Sequence, residues 1–245
     1  MGTLKDQRKT QSIAKWPTPT ENTFLFCSSL TTKPAKGFSM LDNARWNRLI
    51  AMLCKCGPDG HWFAQLTAAY NQNHRHYHNT THITHCLQQF DQAVHLTRNP
   101  CEVEFAIWLH DAVYDSQASD NEEKSAELAC QILSAGGCHR AIIQRIETFI
   151  LDTRHDTTPD TDDARILVDI DLSSLGHSPE QYDRYERAIR EEYAWVPMDL
   201  YRQKRRQILT DFLNRPKIYH TDQFSNRYET QARANIQRVL NGYAP

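Results

Sequence analysis

The stretch Phe105-Ala106-Ile107-Trp108-Leu109-His110-Asp111-Ala112-Val113-Tyr114-Asp115 decides how this chain is read. Phe105 to Leu109 are apolar on every face, the pattern of a helix enclosed on all sides. The run then ends in an adjacent imidazole and carboxylate, His110 and Asp111. Burying such a pair is unfavourable unless a cation or a hydrogen-bond network compensates it. A divalent metal ion compensates it directly, held by a nitrogen and an oxygen from neighbouring residues at a helix end. Two ligands make a weak site, so further ones must come from distant parts of the chain.

The chain has 245 residues, enough for a sizeable core. The expected organisation is a single all-α domain over residues 41–245, preceded by a flexible or loosely docked tail over residues 1–40. Hydrophobic content is 40%, charged content 24% and formal net charge -2. That balance offers no bulk positive charge to nucleic acid or anionic lipid, so neither a stable nucleic-acid partner nor a membrane is expected. Oligomerisation is left open. Seven cysteines without a CxxC pair read as reduced core residues of a cytoplasmic protein. No apolar run reaches the ~18 residues of a membrane span, and the N-terminus lacks a secretory pattern. Gly2 opens a myristoylation signal, but Asp6 stands where that signal requires Ser or Thr.

Residues 1–40 show no sustained period, with Phe24 to Phe26 as a docking point. Asp42 can cap a first helix carrying Trp46, Leu49, Ile50 and Leu53, which Gly57-Pro58 ends. A second runs through Trp62, Phe63, Leu66 and Tyr70. After a histidine-rich loop, Thr80 or Thr81 can cap a third, with His82 in its first turn and Ile83, Cys86, Leu87 and Phe90 beyond. Pro100 precedes the buried helix, and Asp120 caps the next, closed by Gly136-Gly137. Ile142, Ile146 and Phe149 mark another. Carboxylates then meet apolar company a second time, where Ile166, Leu167, Val168 and Ile170 surround Asp169, and Asp171 precedes Leu172. Ser178-Pro179 and Pro197 open two more helices, the second through Leu200, Ile208, Leu209 and Phe212, and a last one covers roughly residues 226–240. No alternating β-branched run, internal repeat or glycine-rich phosphate loop interrupts this pattern.

The candidate ligands are therefore His82, His110, Asp111 and Asp171, with Asp169 as the fallback for the last. Two nitrogens and two oxygens suit one octahedral divalent ion such as Mn, Fe, Co or Ni in preference to Zn; Mg also fits the oxygens.

A histidine, a His-Asp doublet and a distant aspartate in this order resemble the HD-domain superfamily of metal-dependent phosphohydrolases. One branch of predicted hydrolases is similar in longer phrases: Tyr77-His78-Asn79 with His82-Ile83, Ala106-Ile107-Trp108 with His110 to Asp115, and Asp120 to Glu123 with Ser125-Ala126. Asp169 to Leu172 with Leu175-Gly176, and Arg215-Pro216 with Ile218-Tyr219, continue the likeness over roughly residues 42–241. The resemblance implies an HD-type helical domain, one divalent ion on the four ligands, and hydrolysis of a small phosphorylated molecule, such as a nucleotide or a relative of one, by metal-activated water.

On that reading Asp111, Glu122 and His155 are candidate catalytic groups, Asp111 by taking up a proton. Arg75, His78, Lys124, Arg154 and Lys217 are candidate substrate contacts, because phosphate recognition uses forked or point positive donors. Asp115 and Glu122 can orient ligands or water. Other readings stay open. The His-Asp doublet can be a hydrogen-bonded pair without metal, and Asp169 or Asp171 can cap the turn at Gly176. The chain can be a binding or regulatory protein that retains the ion, or a di-iron oxygenase using His78, Asp115 and His155 as extra ligands. Tyr182, Tyr185 and Tyr193 read as core packing, and Lys204-Arg205-Arg206 as a wet helix face.

Overall fold

A computed structural model describes residues 41–55 and 60–242. The expected tail, the docking point at Phe24 to Phe26 and the Gly57-Pro58 stop lie outside the described residues. Every described helix falls within one compact unit, Gly37–Pro245. Among the described residues there is no strand, and no helix is long and apolar enough to cross a membrane.

The all-round apolar helix is α4 (Pro100–Leu109), and Val103 and Phe105 to Leu109 are completely buried. Five helices enclose it: α1 (Asn43–Leu53), α3 (Thr80–Ala93), α5 (Asn121–Ala135), α6 (Arg140–Asp152) and α7 (Asp162–Asp171). The α1 contact is aromatic. Trp46 stacks on Phe105 at 5.6 Å and meets Trp108 edge-on at 5.5 Å, in keeping with the preference of aromatic pairs for offset or edge contacts over a face-to-face sandwich. Asp42 caps α1 as its sequence predicts, accepting from the Ala44 amide at 2.8 Å. The short helix α2 (Gly60–Tyr70) contributes Tyr70, whose buried hydroxyl donates to the Trp108 carbonyl at 2.9 Å.

Helix α3 starts one residue before the expected caps. Asn79 is its N-cap, accepting from the Thr81 amide, while the Thr80 and Thr81 side chains do not cap it. His82 still falls in the first turn, on the face that also buries Ile83 and Cys86. Asp120 precedes α5, but its carboxylate pairs with Lys124 rather than capping an amide.

The C-terminal half wraps this centre. A 3-10 turn, Leu172–Gly176, continues α7 and packs against α8 (Pro179–Glu192) and α10 (Asp222–Gly242). A capping box between Ser178 and Gln181 starts α8. Helix α9 (Met198–Asn214) buries Tyr201, Arg205 and Leu209; Leu200 and Ile208, expected on its inner face, are exposed. Helix α10 begins a turn earlier than its apolar pattern suggests. Asp169 is the reason: its carboxylate accepts from the His220 and Thr221 amides and the Thr221 hydroxyl at 2.7–2.8 Å, fixing the chain just before α10. Neither Asp169 nor Asp171 caps the turn at Gly176.

At Gly176 the backbone touches α10 with no room for a side chain. A Cβ there would stand 2.5 Å from Tyr228 Cβ and 2.9 Å from the Tyr228 carbonyl oxygen, neither of which can swing aside. Gly176→Ala is expected to destabilise the protein by about 1–3 kcal/mol through overpacking. The measurement is the urea unfolding midpoint, and an unchanged midpoint would show that α10 does not pack as described.

Candidate metal centre

Three helix ends deliver four side chains to one point. His82 comes from the first turn of α3, His110 and Asp111 from the C-terminal end of α4, and Asp171 from the last residue of α7. The His82 and His110 Nε2 atoms are 3.2 Å apart. Asp111 Oδ2 lies 3.3 Å from His82 Nε2 and 3.1 Å from His110 Nε2. Asp171 Oδ1 lies 3.2 Å and 3.6 Å from the same two nitrogens.

These separations fit a single ion. Ligands bonded at ~2.1 Å stand ~3.0 Å apart at an octahedral edge and ~3.4 Å apart at a tetrahedral one. The donor chemistry agrees. His110 Nδ1 bonds the Ile107 carbonyl at 2.9 Å, which assigns the proton to Nδ1 and leaves the Nε2 lone pair facing the other ligands. Asp111 Oδ2 is buried with no hydrogen-bond partner, an orphaned acceptor of the kind a cation satisfies. His82, His110 and Asp111 thus form a group that could hold a metal ion; a second group joins His82 and Asp171 with Cys86, whose sulfur is 3.7 Å from His82 Nδ1. Asp171, not the fallback Asp169, stands at the site. Burial pushes the Asp169 carboxyl up to about 6, and the residue is engaged at the α10 boundary.

Burial opposes the charged form of each of the four, and their neighbours override it. Asp111 and Asp171 are held well below the usual carboxylate range by the surrounding imidazoles. By the charges of the chain alone His82 and His110 are held well above the usual imidazole value, His110 by Asp111 and Asp171, His82 by Cys86 and Tyr77 and then by the same two carboxylates; a cation at the site would take the place of the Nε2 proton.

A cavity of about 440 Å³ opens over the cluster. Asp111 and Asp171 form its floor, and His78, Glu122, Arg154 and His155 stand on its walls. Burial, and then the Asp111 charge, push the Glu122 carboxyl up. His155 has a left-handed backbone, φ 59°, and its Nε2 is 2.8 Å from Asp171 Oδ2. It therefore orients a ligand of the site. Arg154 reaches the cavity while pairing with Glu123.

Three expected substrate contacts lie elsewhere. Arg75 is buried and donates to the carbonyls of Asp111 at 2.6 Å, Ala112 at 2.9 Å and His78 at 3.3 Å, so it staples the loop carrying Asp111 to the loop carrying His78. Lys124 does not line the cavity and is held by Asp120 at 2.7 Å. Lys217 is on the surface near Asp222 and borders a different cavity. Asp115 also stands outside, its carboxylate accepting from the Gln117 amide.

The cations that do line the cavity besides Arg154 are Lys204 and Arg205. The expectation of a wet face fails at Arg205, which is 8% exposed and forks onto Glu186 at 2.6 and 3.1 Å. Tyr182 is core and Tyr185 packs against it as expected; Tyr185 also joins Tyr193, Tyr77, Tyr201 and Phe212 in the aromatic wall of the cavity.

The least legible residue is Glu192, at the end of an otherwise charged helix. Its side chain has 0% exposure. One oxygen accepts from the Tyr77 and His78 amides at 2.7 and 3.0 Å; the other takes His78 Nδ1 at 2.7 Å and the Tyr114 hydroxyl at 2.8 Å. His78 stacks on Tyr114 at 4.2 Å. Glu192 thus fixes the ring and its proton on Nδ1, leaving Nε2 for the cavity. Position gave no signal for this; only a carboxylate breaking the apolar period of α8 hinted at it.

Comparison with protein-family models, curated proteins and solved structures gives no match. The chemistry of the site therefore carries the functional question.

Against the burial that would raise it, bonds from His78 and the two amides pull the Glu192 pKa from 4.5 down to about 2. A depressed carboxylate stabilises the folded state above its unfolded value, and the stabilisation is lost as pH falls through the folded one. Glu192→Gln is expected to destabilise the protein by roughly 2–3 kcal/mol at pH 7. The deficit relative to the parent should shrink as pH falls from 4.5 toward 2, as read by urea unfolding at a series of pH values; a constant deficit would show that Glu192 is not ionised in the fold.

Proposed function

We propose that this protein is a metal-dependent phosphohydrolase acting on a phosphate ester of a small, nucleotide-like molecule. The observation that carries the proposal is the cluster of His82, His110, Asp111 and Asp171 at single-ion spacing beneath a cavity with both cationic and aromatic walls. The mixed nitrogen and oxygen set favours Mn, Fe, Co or Ni over Zn, with Mg also accommodated.

When bound, a divalent ion polarises a phosphoryl oxygen and acidifies an attacking water. The residues of the chain do the rest. Arg154 and Lys204 are placed to receive the phosphate oxygens, and the tyrosine wall offers flat apolar area to a base-like group. Glu122, its carboxyl raised, is suited to accept the proton of the attacking water, with Asp111 beside it. His78 is suited to give a proton to the departing oxygen, since Glu192 holds its Nδ1 and leaves Nε2 for the cavity. His155 and Arg75 act indirectly, through Asp171 and the Asp111 loop.

His110→Ala and Asp111→Ala are expected to remain folded, to lose bound metal and to lose turnover across a panel of phosphate esters. The checks are circular dichroism, elemental analysis and phosphate release; a folded variant that hydrolyses as the parent does would sink the assignment. His78→Gln should slow esters with poor leaving groups by about 10²–10⁴ and leave aryl esters with good ones nearly unchanged, because only the former need the proton.

A further inference from the structure

The Arg215-Pro216 and Ile218-Tyr219 phrase has no direct part in the reaction proposed above. Arg215 nonetheless borders a second cavity, of about 430 Å³, on the far side of His155. Residues 155–158 form one side of it, and Arg215, Lys217 and His220 the other.

The charges of this cavity are poorly matched. Arg215 donates from Nη2 to the His155 carbonyl at 2.6 Å and lies 4.5 Å over the Phe212 ring. Among the described residues no carboxylate forms an ion pair with it, although burial lowers its pKa and makes its charge unfavourable. Lys217 meets only Asp222, at 3.5 Å on the surface. His220 is disfavoured from protonation by burial and then by Arg215, Arg165 and His155, so the local field is positive. The one acid on the wall, Asp156, is turned toward Arg154 at 3.7 Å. Thr157 and Thr158 add two hydroxyls, and His155 Nδ1 is a buried polar atom without a partner.

A guanidinium, an ammonium, two hydroxyls and two imidazoles around one small volume suit an anion with several acceptor oxygens and more than one negative charge. We propose that this cavity binds inorganic phosphate, with Arg215 and Lys217 supplying the charge and Thr157, Thr158 and His220 the remaining hydrogen bonds. The site needs neither the metal nor turnover, so it stands or falls apart from the hydrolase reading. It lies one imidazole ring from Asp171, because His155 borders both cavities.

The test is calorimetric titration of the full chain with inorganic phosphate at pH 7, repeated on Lys217→Ala and Lys204→Ala. Lys217 is exposed, so its loss leaves the packing intact, and the two lysines report on the two cavities separately. A binding event weakened about tenfold or more by Lys217→Ala and retained in Lys204→Ala is expected, since a charged hydrogen bond contributes on that scale. Crystals soaked in tungstate should show anomalous density between Arg215 and Thr158. No phosphate binding at millimolar concentration, or binding abolished by Lys204→Ala and indifferent to Lys217→Ala, would overturn the proposal.

Discussion

Two carboxylates and two imidazoles meet at the centre of this protein, each carboxylate with an oxygen 3.1–3.6 Å from both imidazole nitrogens. Such a cluster tolerates few arrangements, because each charge is compensated by the groups facing it, His82 alone meeting both carboxylates. Much of the fold can be understood as meeting that demand. Each ligand comes from a helix end, and the three helices concerned all pack on one another through α4 and α7. The apolar perimeter of α4 is what allows its last residues to be driven so deep; a helix with one polar face would have left His110 and Asp111 nearer the surface.

Around the cluster lies a ring of groups that set its geometry from outside. The Ile107 carbonyl fixes the His110 tautomer, Arg75 holds the backbone of Asp111, and His155 braces Asp171. His155 meets Asp171 from a backbone at φ 59°, a conformation uncommon for a residue with a side chain, and Arg215 donates to its carbonyl. Local strain is thus sustained by a charged hydrogen bond from a segment 60 residues away.

The centre of the molecule is legible in its amino-acid pattern and the periphery much less so. A run of apolar residues that ends in His-Asp carries its own physical contradiction, and resolving it points to His82 and to the Asp169 and Asp171 pair from residue type and order alone. Asp169 and Asp171 are ambiguous by the same criterion, since both are surrounded by Ile and Leu; what separates them is a partner about 50 residues on, Thr221, which no local pattern announces. Lys124 and Lys217 suggest contacts at the cavity over the cluster by loop position only, and neither lines it. Arg205 fails in the opposite direction. A Lys-Arg-Arg run reads as solvated because charge is usually exposed, but the middle residue faces Glu186 across two helices. Glu192 shows the same limit: its buried role depends on Tyr77, His78 and Tyr114, all far away along the chain.

Floor and walls of the cavity come from different parts of the polypeptide. The floor comes from the ends of α4 and α7, elements of the core, whereas Tyr185, Tyr193, Tyr201, Lys204 and Phe212 come from α8, α9 and the link between them. The candidate metal site and the cavity walls therefore rest on separate sets of contacts. Changes in the face of α9 can reshape the walls without disturbing the His-Asp cluster, while His110 and Asp111 cannot move without unpacking α4. Glu192 is the exception that ties the two parts together: it sits at the end of a wall helix and orients His78, a residue of the loop before α3. Displacing α8 would loosen the proton donor as well as the wall, so in the proposed reaction the fit of the substrate against α8 and the readiness of His78 are coupled through one carboxylate.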